Sequence, residues 1–182
     1  MNDDPRIEAI MQAIRTVESG GNYSAAGASG EFGAYQFMPD TWRKWARVHL
    51  NNEDAPLTPE NQDAVAHAKI KEWVDDGFNP SDIFALWNSG TASWEGKIGK
   101  NAAGVMYNVP RYVVKGLTVL ADILLHNSSG MTQHQTKMFY LFYFGRLPDT
   151  GELLFWSGKD PVALMHRAIT DRAQLMAKEE LK

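Results

Sequence analysis

The chain has 182 residues, 44% apolar and 22% charged, enough for one domain with a core or one domain and a small appendage. A formal charge of −4 argues against a phosphate-binding surface, and so against nucleic acid as a partner, and gives no pull toward an anionic cell wall. Cysteine is absent, which excludes disulfides and thiol chemistry, and no run suits a membrane span: residues 107–125 are broken by Arg111, Lys115 and Asp122, and 138–144 is too short.

Residues 1–5 are acidic and lack the basic start and apolar stretch of a secretory signal. Asp4 as N-cap and Pro5 at the first helical position predict a helix over Pro5–Ser19, with Ile7, Ile10, Met11, Ile14 and Val17 on one face. Gly20 and Gly21 stop it. The Gly-, Ala- and Ser-rich stretch 22–33 reads as a loop with positive-φ positions, and short strand pairing is expected at most around Glu31–Phe37. Pro39 opens a second helix to about Leu50. Thr58-Pro59 opens a third, ended by Asp76-Gly77. Asn79 or Ser81 caps a short fourth helix that holds Ile83, Phe84 and Trp87 and breaks at Asn88-Ser89-Gly90. A Gly-rich connector over 91–108 leads to Pro110 and a long apolar helix to about Leu125. Beyond a linker at 127–130, helices are expected over 133–144, 150–157 and 161–181. The fold class is therefore all-α with at most a minor β-hairpin, divided into residues 1–127 and a small helical domain at 131–182.

Four features carry chemistry. Glu18, in Glu18-Ser19-Gly20-Gly21, sits at the edge of the apolar stripe near the negative end of a helix dipole. Partial burial and the dipole both favour the protonated form that a general acid needs. In Gly33-Ala34-Tyr35-Gln36-Phe37-Met38-Pro39 the glycine permits close backbone approach to a ligand, and the Gln36 amide can donate and accept toward an acetamido group. Asn88 ends an apolar helical turn after Trp87. Tyr112 lies in the first turn of the long apolar helix. Six Trp and six Tyr offer flat faces and phenols for sugar binding, with core packing as the plainer use.

Taken in order and spacing, Glu-Ser-Gly, Gly-x-x-Gln-Phe-Met-Pro, Asn-x-Gly and Tyr-Val resemble the motifs of the soluble lytic transglycosylase family, over roughly residues 7–120. The resemblance implies a lysozyme-like fold and peptidoglycan glycan strands as partner and substrate. It implies Glu18 as catalytic acid and then base, with Tyr112 hydrogen-bonding its carboxyl. Ser19, Gln36, Asn88, Tyr35 and Trp87 are the implied substrate-binding and positioning residues. Where many members carry Ala-Tyr-Asn-Ala-Gly, this chain has Leu86-Trp87-Asn88-Ser89-Gly90 preceded by Ala85.

The reaction the resemblance implies is cleavage of the bond between N-acetylmuramic acid and N-acetylglucosamine with a 1,6-anhydromuramic product. The substrate's own acetamido group makes a second carboxylate unnecessary. Hydrolysis in the manner of goose-type lysozymes is the alternative, and it needs a group to activate water, for which Glu31 is the candidate second carboxylate; Asp40 belongs to the first turn of a helix instead. A wall-binding module of a phage or secretion assembly, weak in catalysis, is the third reading. The five histidines lack metal-ligand spacing, so no metal and no cofactor is expected. The aromatic-rich segment 138–156 resembles a small helical domain of bacterial surface proteins. It is read as a cap over the catalytic domain, with docking to a larger envelope or virion assembly through 131–182 as the alternative. The cell envelope, the periplasm or a virion is the expected location.

Overall fold

The computed structural model describes residues 4–100 and 106–126, and the elements follow from local chemistry that the sequence carries openly. Helix α1 spans Pro5–Ser19, α2 Pro39–Leu50, α3 Pro59–Asp75, α4 Pro80–Ser89 and α5 Val109–His126; β1 (Ile98–Lys100) and β2 (Met106–Asn108) form an antiparallel pair. Among the described residues the fold is thus helical with one minor hairpin. Two compact units are distinguished, one through Phe78 and one from Asn79 onward. The helices and domain expected beyond residue 130 lie outside the described residues.

Each helix of the first unit begins with proline, whose fixed φ suits the first turn and whose missing N–H would have no partner there. Asp4 caps α1 by accepting from the Arg6 N–H, and Thr58 caps α3 by accepting from the Asn61 N–H. At the other end of α1, Gly20 adopts φ 67° and Gly21 donates to the Arg15 carbonyl, closing the helix with a left-handed residue. The stripe Ile7, Ile10, Met11 and Ile14 is buried, as are Val65, Ala66, Ile70 and Trp73 of α3, against which both α1 and α2 pack. An aromatic chain fills the space between the 32–37 loop and α2. Phe37 lies 5.6 Å from Tyr35, 5.2 Å from Trp42 and 6.1 Å from Trp45, and Trp45 meets Trp73 edge-on at 5.9 Å. Most of these rings serve the core.

In the second unit, Asn79 and Asp82 form a reciprocal capping box on α4, and Gly90 ends it at φ 73°. Ile83, Phe84 and Ala85 of α4 are buried, as are Val113, Leu117, Leu120 and Ala121 of α5, and the two helices pack together. The strand pairing departs from expectation. Around residues 31–37 there are only isolated bridges, Ala26 with Phe32 and Phe32 with Phe37, while the hairpin lies within the stretch read as connector. Three-residue strands are too short to leave a period-2 pattern.

Gly116 shows how close the α4–α5 packing is. A Cβ there would fall 2.5 Å from the Phe84 ring. Alanine would gain about 1 kcal/mol of helix propensity but lose about 1–3 kcal/mol to overpacking. Gly116→Ala is therefore expected to lower the melting temperature; an increase would show that the ring gives way freely.

Candidate active site

The site of the first unit is built around the end of α1 and the loop that returns beside it. Glu18 and Ser19 occupy the last turn of α1, both half-buried. The Ser19 hydroxyl donates to the Ala34 carbonyl at 2.8 Å and accepts from the Asn22 N–H at 3.0 Å, so one side chain ties the helix end to both ends of the loop. Glu18 makes interactions of its own at this place.

The loop is held from below by α3. Gln62 is fully buried and uses its whole amide: Oε1 accepts from the Ala34 N–H at 2.9 Å, and Nε2 donates to the carbonyls of Tyr23 at 3.1 Å and Leu57 at 3.0 Å. Gly33, at φ 79°, has no room for a side chain, because a Cβ there would collide with Gln62 Oε1. The close approach that the glycine permits is therefore to a side chain of the protein itself. That corrects the expectation of a ligand at this position.

Next to Gln62, Asp63 collects three donors. Tyr35 donates to Oδ1 at 2.6 Å, Tyr23 reaches both carboxylate oxygens at 2.8 Å, and Arg15 of α1 approaches at 2.9 Å. Arg15 also donates to the Tyr35 hydroxyl and pairs with Glu8. Burial, followed by the hydrogen bond to Asp63, pushes the Tyr35 phenol well above its ordinary range. Tyr35 was expected at a sugar subsite, but it is fully buried with its hydroxyl engaged, and it supports the loop rather than facing outward.

Gln36 is half-buried and takes a left-handed backbone, φ 49°, uncommon for a residue with a side chain. Its Nε2 donates to the Gly33 carbonyl at 2.9 Å, which leaves Oε1 turned toward Gly27. Glu31 comes to the same place: a Cβ on Gly27 would fall on the Glu31 carboxylate and within 2.6 Å of Gln36 Oε1. The Glu31 carboxylate also accepts from the Ser29 N–H at 2.8 Å. The structure thus brings Gln36 and Glu31 together over Gly27, and Ser19 together with Ala34. Asp40 is exposed in the first turn of α2, as expected.

In the second unit, Trp87 is half-buried and Asn88 exposed in the last turn of α4, while Tyr112 is half-buried in the first turn of α5. Ser89 donates to the Ala85 carbonyl at 2.9 Å, a bond within the turn. The residues that sequence reasoning missed are Arg15, Tyr23, Gln62 and Asp63. Gln62 and Asp63 sit in a polar stretch, Pro59-Glu60-Asn61-Gln62-Asp63, that reads as a solvated helix start, and only the loop folding back on them reveals their use. Among the described residues no group of three or more His, Asp or Glu could hold a metal ion.

The sequence profile of a family described as Transglycosylase-like domain matches residues 6–73. The chain is also similar to resuscitation-promoting factor RpfC of Mycobacterium tuberculosis, 30% identical over 105 residues that cover 54% of this chain and 73% of the relative. No solved structure matches it.

The burial of Tyr35 makes a prediction that separates support from sugar contact. Tyr35→Phe leaves Asp63 and Arg15 short of a partner and should cost about 1–3 kcal/mol of stability, read by denaturant unfolding, with KM for glycan unchanged. Because the folded-state phenol is raised, its neutral form stabilises the fold below the unfolded pKa of about 10, and that stability is lost as pH rises beyond it. The wild-type protein should therefore lose stability more steeply than Tyr35→Phe above about pH 10.

Proposed function

This chain belongs to the transglycosylase-like, soluble-lytic-transglycosylase-like family of lysozyme-like proteins, and on that premise we propose that it cleaves peptidoglycan glycan strands with Glu18 as general acid and then base. The observation that carries this reading is the half-buried Glu18 at the closing turn of α1, inside the family-matched segment, with its neighbour Ser19 bonded to the loop that holds Gln36. A carboxyl so placed is screened from bulk water on one side while a polar loop stands beside it.

In the proposed reaction Glu18 gives its proton to the oxygen linking N-acetylmuramic acid to N-acetylglucosamine. The sugar's 2-acetamido oxygen meets the charge forming at C1. Glu18, now ionised, takes the proton of the muramic C6 hydroxyl as that oxygen closes on C1. The bond to the leaving sugar breaks, the 1,6-anhydro bond forms, and no water enters the balance. The Gln36 amide orients an acetamido or hydroxyl group of the glycan.

Digestion of purified sacculi followed by mass analysis of the muropeptides tests the chemistry: anhydro ends are expected, and products one water heavier would replace this reading with hydrolysis. Glu18→Gln should lose about 10²–10⁴-fold in rate; full activity in that variant would remove Glu18 from the reaction.

One observation favours a second reading. The Glu31 carboxylate converges with Gln36 over Gly27, where a bound sugar held by Gln36 would meet it. If Glu31 activates water, Glu31→Gln abolishes hydrated products. If transglycosylation holds, the variant still releases anhydro ends.

A further inference from the structure

We infer that Gln62 is a positioning residue that sets the register between the catalytic end of α1 and the substrate loop, and that it does so through a single peptide residue, Ala34. This rests on the assignment of Glu18 as the acid. Ala34 is fully buried and spends both of its main-chain polar groups on this junction. Its N–H is accepted by Gln62 Oε1 at 2.9 Å and its carbonyl accepts the Ser19 hydroxyl at 2.8 Å. The path from the middle of the Gln62 amide to the residue beside Glu18 is thus two hydrogen bonds and one peptide residue.

The geometry on either side of Ala34 leaves it little freedom. Gly33 precedes it at φ 79°, with Gln62 Oε1 in the space a side chain would take, and Gln36 follows at φ 49° with its side chain bonded back to Gly33. The other half of the Gln62 amide holds the carbonyls of Tyr23 and Leu57, which fixes the start of the loop and the approach to α3. A buried amide with three partners and no solvent contact cannot turn without breaking two or more of them. Its Oε1 is therefore held at one point, and Ala34, Ser19 and the last turn of α1 are registered against that point. Apolar replacement would free the Ala34 peptide to shift, and displacements near 1 Å at a reacting group cost about 10²-fold in rate.

The experiment compares Gln62→Leu, Ser19→Ala, the double variant and Glu18→Gln in the full chain, with steady-state turnover of sacculi and residue-resolved amide exchange as readouts. For Gln62→Leu, a loss of about 10²-fold in kcat/KM is expected, with the Ala34 amide exchanging faster while those of Ile10 and Ile14 stay protected. Because Gln62 and Ser19 act on the same peptide, the double variant should fall no more than about threefold below the worse single variant, where independent sites would multiply their losses. Wild-type kcat/KM in folded Gln62→Leu, an unchanged Ala34 amide, or multiplicative losses in the double variant each overturn the inference. Should Gln62→Leu fail to fold, Gln62→Glu replaces it, since it keeps the acceptor toward Ala34 and gives up the donations. It is then expected to keep the Ala34 amide protected and kcat/KM within about tenfold of wild type, and a loss equal to that of Glu18→Gln overturns the inference. An active Glu18→Gln would instead defeat the assignment of the acid and leave the exchange result to judge Gln62.

Discussion

The first unit depends on the way a polar loop is fastened to two helices without the help of a sheet. A loop rich in glycine and serine carries backbone groups that an α-helix or a strand would satisfy internally; here short backbone bonds, such as those between Phe32 and Phe37 and from Gly33 to Ala25, satisfy some of them and side chains satisfy others. Gln62 takes two carbonyls and an N–H, Ser19 takes a carbonyl and an N–H, and Asp63 draws in the hydroxyls of Tyr23 and Tyr35. Each of these is worth little by itself, yet leaving any one unmade in the buried interior costs more than making it gains. That asymmetry gives the loop one conformation and holds Gln36 in a left-handed backbone.

The same arrangement sets the surroundings of the carboxyl proposed as the acid. The helix must end where Gly20 turns the chain, so position 18 falls at the edge of the buried stripe on its last turn. Ser19 bonds outward to the loop at 2.8 Å, closer than the 3.4 Å to the Arg15 carbonyl of its own helix. The apolar stripe fixes the depth of Glu18, and the loop fixes what stands beside it. Arg15, one turn earlier, pairs with Asp63 and Glu8, which ties the same helix to α3.

Much of the fold was legible because the signals are local. Asp4, Pro5 and Gly20 delimit α1 to the residue, Pro39 and Thr58-Pro59 mark the next two starts, and Asn79 caps α4. The site was legible only in part. Glu18, Ser19 and Gln36 stand out through motif order, whereas Gln62 reaches Ala34 across 28 positions and Tyr23 across 39, separations that no periodicity reports. Tyr35 reads equally well as a sugar platform or a core ring until its hydroxyl partners are known. A minor hairpin was expected but not its place, because its strands are three residues each and mostly exposed, so they carry neither alternation nor an apolar run.

The proposed chemistry requires a glycan to reach Glu18 along the fastened loop. The most direct measurement is a crystal structure of the Glu18→Gln protein with a chito-oligosaccharide bound. It should place a glycosidic oxygen about 3 Å from the side chain of residue 18, with the Gln36 amide on the sugar and the Ala34 hydrogen bonds intact. An oligosaccharide bound away from residue 18, or a loop that opens and releases Ala34 to admit it, would contradict the account.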